Sequence, residues 1–211
     1  MDRRRQRLDV RWAVASPGRS CFSTRVGVQP SSMTEIKVRL LVKNEWQLYR
    51  DVRLAALRDA PEAFVARFGD EASYDDVFWR ELMGRATRIV AERGNEPVGV
   101  VCLGLHNEDP QTGEVFGLWT APSVRGQHVA RDLVAAARKR AAEDDRRLLY
   151  FWVVSDNASA VGFAGSFGFR PSSERRSVRV THGGAEKDAD EVAMVLPLSA
   201  DPTRTPNPFP E

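Results

Sequence analysis

Leu148 to Val154, LLYFWVV, is an unbroken apolar and aromatic run, the composition of a central strand covered on both faces. The segments before it say what covers it. Val129, Leu133, Val134, Ala137 and Ala141 recur at helical spacing over Val129 to Ala142, and Arg and Lys occupy the opposite side, so this helix buries one face. Gly113 to Thr120 reads as a strand ahead of that helix. A strand, a one-sided helix and a buried strand in succession make a β-α-β unit, which places the chain in the mixed α/β class.

The flanking segments extend the unit in both directions. Ile36 to Val42 reads as a strand and Glu45 to Ala60 as a helix, with Trp46, Tyr49, Val52, Leu54, Ala56 and Leu57 near helical spacing before Pro61. Ser73 is placed to cap a second helix over Tyr74 to Met83, where Asp75 and Asp76 suit the positive end of the helix dipole and Gly84 is a stop. Arg88 to Glu92 and Val98 to Leu105, separated by Gly94-Asn95-Glu96-Pro97, read as a hairpin. Asn157 to Phe167 reads as a helix ending at Gly168, and Val178 to Val180 and Val192 to Leu198 as the last strands.

The 211 residues suffice for one full core and are short for two. The net charge of +2 conceals an asymmetry: residues 1–33 hold seven Arg against two acids, so residues 34–211 have 24 basic against 27 acidic residues. That excess of acid argues against a nucleic-acid surface on the domain. The Arg-rich start lacks the apolar core of an export signal, and no window approaches the ~20 apolar residues of a membrane span, which suggests a cytoplasmic protein. Cys21 and Cys102 are too few for a disulfide framework or a cysteine metal site, and Cys102 reads as a buried free thiol. Residues 1–33 read as a disordered Arg-rich extension, with Met33 the expected natural start; residues 34–198 as the domain; and 199–211, with prolines at 202, 206, 208 and 210, as a solvated tail.

Chemistry concentrates between residues 114 and 134, EVFGLWTAPSVRGQHVARDLV: a strand, a short turn, an Arg-Gly pair and the first turn of a helix. Helix N-termini leave unpaired amides and a partial positive charge, a combination that favours a bound phosphate. Arg125 adds a full charge, Gly126 permits close backbone approach, and Ala130 keeps the following helical step small. Alone, such a turn is also that of an ordinary basic loop capping a helix.

The residues from about Glu35 to Leu198 resemble the GNAT acetyltransferase superfamily. Its cofactor signature, Arg or Gln, two residues, Gly, one residue and Gly or Ala, falls on Arg125, His128 and Ala130. A second signature falls on Asn157, Ala160, Phe163, Gly168 and Phe169, and LAALRDAPEAF and WTAP resemble one bacterial branch. The resemblance implies a GNAT fold, a mixed sheet of about six or seven strands flanked by about four helices. It implies acetyl-CoA as co-substrate, with Leu118, Trp119 and Thr120 offering backbone groups to the pantetheine arm. Arg125, Gly126, Gln127, His128, Val129 and Ala130 would hold the pyrophosphate, and Asn157 and Phe163 would contact the cofactor from the next helix. It further implies direct transfer to a primary amine of a small molecule or peptide, needing no metal; a homodimer is compatible with the sequence.

Three positions depart from the family pattern. His128 replaces the central glycine, where a glycine-requiring conformation would be strained. Ala164 stands where many members carry a Tyr that protonates the leaving thiolate, and Ser166 lies nearby as a candidate substitute, although a helix-surface serine is the far commoner role. Trp152 stands where some members place a catalytic Glu. Glu114 is then the best remaining base, although a Glu at a strand entrance is more often solvated. His106, Glu108 and Asp109 read as a polar hairpin loop, Trp46, Phe78 and Trp79 as core or as an acceptor wall, and Asp70, Glu71, Asp75 and Asp76 as a solvated helix start. A degenerate GNAT domain that binds acyl-CoA as a sensor, without turnover, is the alternative.

Overall fold

The computed structural model describes residues 35–182 and 185–198; the expected extension at 1–33, Met33 as a start, Cys21 and the tail at 199–211 lie outside the described residues. Seven strands, Ile36–Leu40 (β1), Thr87–Arg93 (β2), Glu96–His106 (β3), Asp109–Thr120 (β4), Leu148–Val154 (β5), Arg170–His182 (β6) and Ala185–Pro197 (β7), form one sheet in the order β1-β2-β3-β4-β5-β7-β6. Every neighbouring pair is antiparallel except β4 with β5. That single parallel pair follows from the sequence. A helix, Val129–Glu143 (α4), intervenes between β4 and β5, and only a crossover of that length can bring the chain back in the same direction.

The α4 helix buries Val129, Leu133, Val134, Ala137 and Ala141, the five positions that share a face in the sequence. They pack with Ala158–Ser166 (α5) on Ile89, Val101, Leu103, Leu149, Phe151 and Val153. Each fully buried aliphatic side chain there contributes roughly 1.5–3 kcal/mol. The other face of β1 to β4 carries Trp46–Asp59 (α1), Phe68–Ala72 (α2) and Asp76–Arg85 (α3), whose Trp46, Tyr49, Leu57 and Trp79 meet Val100, Cys102 and Trp119. Five α-helices thus flank the sheet among the described residues, one more than expected, because α2 is too short to show a periodic face. On β5 and β7 this second face bears a separate small cluster of Trp152, Ala193 and Val195, with Tyr150 beside it.

Local chemistry corrects several expected boundaries. Asp75, not Ser73, caps α3, its carboxylate accepting from the Phe78 amide at 2.8 Å, while Ser73 closes α2 by donating its hydroxyl to the Asp70 carbonyl at 2.7 Å. The α3 helix runs one residue past Gly84. Glu71 is not solvated: it is buried against Arg53 with contacts of 2.7 and 2.9 Å. Trp46 and Trp79 are core residues, and Cys102 is a buried free thiol. Strand β6 begins well before Val178, at Arg170.

Candidate active site

The parallel ladder between β4 and β5 covers Thr112 to Val115 against Leu148 to Phe151 and goes no further. Beyond it, β4 stays with β3 and β5 stays with β7, so the two strands part. A bulge in β4 accompanies the parting. Val100 pairs with Trp119 and Cys102 with Phe116, so Gly117 and Leu118 together face Val101 alone, and Gly117 takes φ 67°. An extra residue with positive φ turns the strand and is cheapest as glycine. Leu118, Trp119 and Thr120 follow on the edge that β5 has left; Leu118 points into the α4 layer and Trp119 into the α1 layer.

After Thr120, a 3-10 turn at Pro122–Val124 leads to the Arg-Gly pair and into α4. Gly126 has φ +80°, and a Cβ added there would meet nothing within 4 Å, so its backbone faces open space. His128 is the N-cap of α4 at φ 64°, ψ 5°, and its side chain makes no cap hydrogen bond. The first-turn amides of Val129, Ala130 and Arg131 have no intrahelical acceptor by the geometry of any α-helix, and the His128 side chain does not take them over. Compare α5, where Asn157 Oδ1 accepts from the Ala160 amide at 3.0 Å. Val129 itself is buried in the core, Ala130 packs against it, and Gln127 braces the turn, donating to the Ser123 carbonyl and accepting from Arg93.

The expected strain at His128 is therefore present. The left-handed region costs an ordinary residue about 1–2 kcal/mol, whereas glycine adopts it freely but loses roughly 0.5–1 kcal/mol through its looser unfolded chain. His128→Gly is expected to raise stability by about 0.5–1 kcal/mol in urea denaturation, and an unchanged or lower midpoint would show that the imidazole makes a compensating contact.

Arg125 has a partner that spacing did not suggest. Its guanidinium lies on Asp59, at the last position of α1, and its Nε donates to the Thr120 carbonyl at 3.3 Å. The same Asp59 oxygen accepts from the Trp119 indole at 2.8 Å. One carboxylate thus ties α1 to both β4 and the turn. An acid at a helix C-terminus opposes the macrodipole, so this position owes its stability to the two donors.

Glu114 sits one pair before the strands part, opposite Tyr150 on β5. It is not a solvated strand entrance: its side chain is 19% exposed and its carboxylate accepts from His106 Nδ1 at 2.9 Å. His106 was expected in a polar loop with Glu108 and Asp109. Instead the turn is confined to Asn107 and Glu108, both at positive φ, and His106 is buried at the end of β3. Its Nε2 lies 3.0 Å from the Asn107 side-chain amide and 4.0 Å from a Glu174 carboxylate oxygen, so the ring bridges the two glutamates. Its ring stacks on Tyr150 with centroids 3.9 Å apart. The Tyr150 hydroxyl donates to Glu174 at 2.8 Å, and burial, reinforced by that bond, pushes its pKa up to about 12, so it stays protonated throughout the neutral range. Asp109 accepts from Gln111 and Thr112, which holds its carboxyl below its usual range.

The remaining expected residues are spread around this centre. Phe163 packs on Phe167 with centroids 5.1 Å apart, and Asn157 spends its oxygen on the α5 cap. Ala164 is fully buried, so no proton donor stands at that position, and the Ser166 hydroxyl is engaged by the Phe163 carbonyl at 2.6 Å. Trp152 is buried beneath Arg176, whose guanidinium lies 4.4 Å from its ring. Among the described residues no group of His, Cys, Asp and Glu is assembled to hold a metal ion, and no helix is long and apolar enough to cross a membrane. The sequence did not mark Asp59, His106, Tyr150 or Glu174 as site residues; the one available signal was Asp59 within LAALRDAPEAF.

A parted parallel strand pair leading to an uncapped helix N-terminus with an open Gly126 fits an elongated ligand ending in phosphates. A sequence model of the Acetyltransferase (GNAT) family matches residues 53–169. No curated protein matches the chain significantly in sequence. Among solved structures, the fold is similar to a GNAT family acetyltransferase from Streptococcus pneumoniae, at TM-score 0.62 and 15% identity over 78% of this chain and 100% of that one. It is also similar to a GNAT family acetyltransferase from Elizabethkingia anophelis with acetyl-CoA bound, at 0.56 and 15% over 77% and 97%. A third is the ribosomal-protein-alanine N-acetyltransferase from Brucella melitensis, at 0.57 and 19% over 76% and 99%. With the family match spanning more than half of its length, this chain belongs to the acetyltransferase (GNAT) family of acetyl-CoA-dependent acyltransferases.

Proposed function

We propose that the protein moves the acetyl group of acetyl-CoA to a primary amine of a small molecule, with Glu114 as the base. The observation that carries this reading is the position of Glu114: one pair before the end of the β4–β5 ladder, held by His106, with Tyr150 and Glu174 alongside. Acetyl-CoA supplies an acyl group on a good leaving thiol. The amides of the α4 first turn and Arg125 bind its pyrophosphate, and the free edge of Leu118 to Thr120 receives the pantetheine arm. As the amine nitrogen bonds to the acyl carbon and the carbon–sulfur bond breaks, Glu114 takes the ammonium proton, directly or through one water. Glu114 and Glu174 together favour a cationic acceptor, and the stacked Tyr150 supplies an aromatic wall.

The acyl-CoA-binding sensor is the competing reading, and the buried Ala164, with no donor for the departing thiolate, favours it. Incubation with acetyl-CoA and a panel of amines and peptides, monitored by free thiol, separates the two. Amine-dependent thiol release is expected. Binding without release across the panel would establish the sensor instead, and absence of binding would remove both.

Asp59 supplies a second test. It competes with the pyrophosphate for Arg125, and Asp59→Asn keeps an acceptor for the Trp119 indole while removing the competing charge. Calorimetry is expected to show acetyl-CoA binding about two- to tenfold more tightly to this variant, the worth of one partly screened ion pair. Weaker binding would mean that Asp59 chiefly orders the turn.

A further inference from the structure

At the end of the sheet opposite the α4 N-terminus, where β1 and β3 finish and β2 begins, lies a cavity of about 620 Å³. Lys43, Arg85, Arg88, Arg140 and Arg146 line it, and among the described residues no acidic side chain does. The concentration is notable because residues 34–211 carry more acid than base. Nearby counter-charge is limited: Asp144 meets Arg140 at 2.9 Å and Arg146 at 3.4 Å, and Glu81 meets Arg85 at 3.3 Å on the surface. Lys43 makes no ion pair among the described residues. Arg88 is only 3% exposed, its guanidinium lying 4.6 Å from the Tyr49 ring and its Nη2 donating to the Leu82 carbonyl at 2.9 Å, so it adds positive charge behind the wall. Two carboxylates against five cations leave a positive excess inside a concave wall.

We propose that this cavity is a second ligand site, distinct from the cofactor turn, for a small molecule carrying two or more phosphate groups. Guanidinium groups match phosphate oxygens in pairs, and besides the buried Arg88 three of the other four cations are arginines. The volume is that of a metabolite pocket rather than of a single-ion site. The lining also has a route to the chemistry. The Val42–Lys43 segment leads directly into α1, whose far end places Asp59 on Arg125 and Trp119, and Gly104 on β3 lies opposite Glu114. A bound polyphosphate would brace α1 at its base.

The test is titration calorimetry of the full chain with inorganic tripolyphosphate, comparing wild type with Lys43→Glu/Arg85→Glu. Both positions are outside the acetyl-transfer machinery, and a neutral Lys43→Gln/Arg85→Gln pair stands in if the charge reversal fails to fold. The reversed variant is expected to lose about tenfold or more in one class of tripolyphosphate sites, the neutral one about threefold, with acetyl-CoA affinity unchanged in both. Superimposable tripolyphosphate isotherms for wild type and variant overturn the site. Citrate, of similar charge without phosphate geometry, is expected to bind at least about tenfold more weakly, and equal binding overturns the phosphate assignment.

Discussion

Glu114→Gln is expected to lower kcat by roughly 10²–10³-fold while leaving acetyl-CoA affinity unchanged, since a positioned general base contributes within that range and the cofactor turn is untouched. Glutamine is the right probe because its amide oxygen can still accept from His106 Nδ1, so the stack on Tyr150 and the end of β3 should persist. What disappears is the capacity to take a proton. A full-rate variant would remove Glu114 from the mechanism. His106→Phe separates the base from its support: phenylalanine can keep the stack on Tyr150 but offers no N–H to the carboxylate. A loss of about tenfold in kcat is expected, with KM for acetyl-CoA unaltered, because a hydrogen bond to a charged group is worth about 1.5–3 kcal/mol and solvent can replace part of it. A shared fall in kcat and cofactor affinity would point instead to collapse of the β3–β4 hairpin.

The neighbourhood of Glu114 also shows where sequence reading stops. The β-α-β unit, the buried face of α4 and the Arg125–Ala130 turn were legible because each depends on residues close in the chain, through hydrophobic period or helix-terminus chemistry. His106 beside Glu114 depends on register. A regular hairpin closing at Asn107-Glu108 would pair residue 104 with 111, but a shift between Leu105 and His106 moves Glu114 opposite Gly104, making His106 its diagonal neighbour on the same face. No local pattern announces that shift. Strand β6 was half hidden for another reason: it is an edge strand, and the charged run RPSSERRS that blunts such an edge erases the alternation. Asp59 escaped notice because its two donors lie sixty and more residues away. The turn that most clearly marked the family is thus assembled from both sides, and only its own side was readable.

The same limit applied to Glu71, and it yields the largest expected effect on stability. Arg53 on α1 and Glu71 on α2 are 5% and 2% exposed and share two hydrogen bonds, and the Arg53 guanidinium also lies 4.9 Å from the Phe64 ring. Neither charge has water to fall back on. Glu71→Leu should therefore cost about 3–5 kcal/mol in urea denaturation, because it leaves a buried guanidinium uncompensated. Arg53→Leu should cost a similar amount by stranding the carboxylate. The double variant Arg53→Leu/Glu71→Leu is expected to be far less damaged than the sum of the singles, within about 1–2 kcal/mol of wild type, since removing both charges also removes both desolvation penalties. Additive losses would show that the pair is held by packing rather than by mutual charge. The single variants should report on the site as well. Arg53 lies six positions before Asp59 on the same helix, so stranding its charge loosens the element that holds Arg125, and acetyl-CoA affinity should change in the singles and recover in the double.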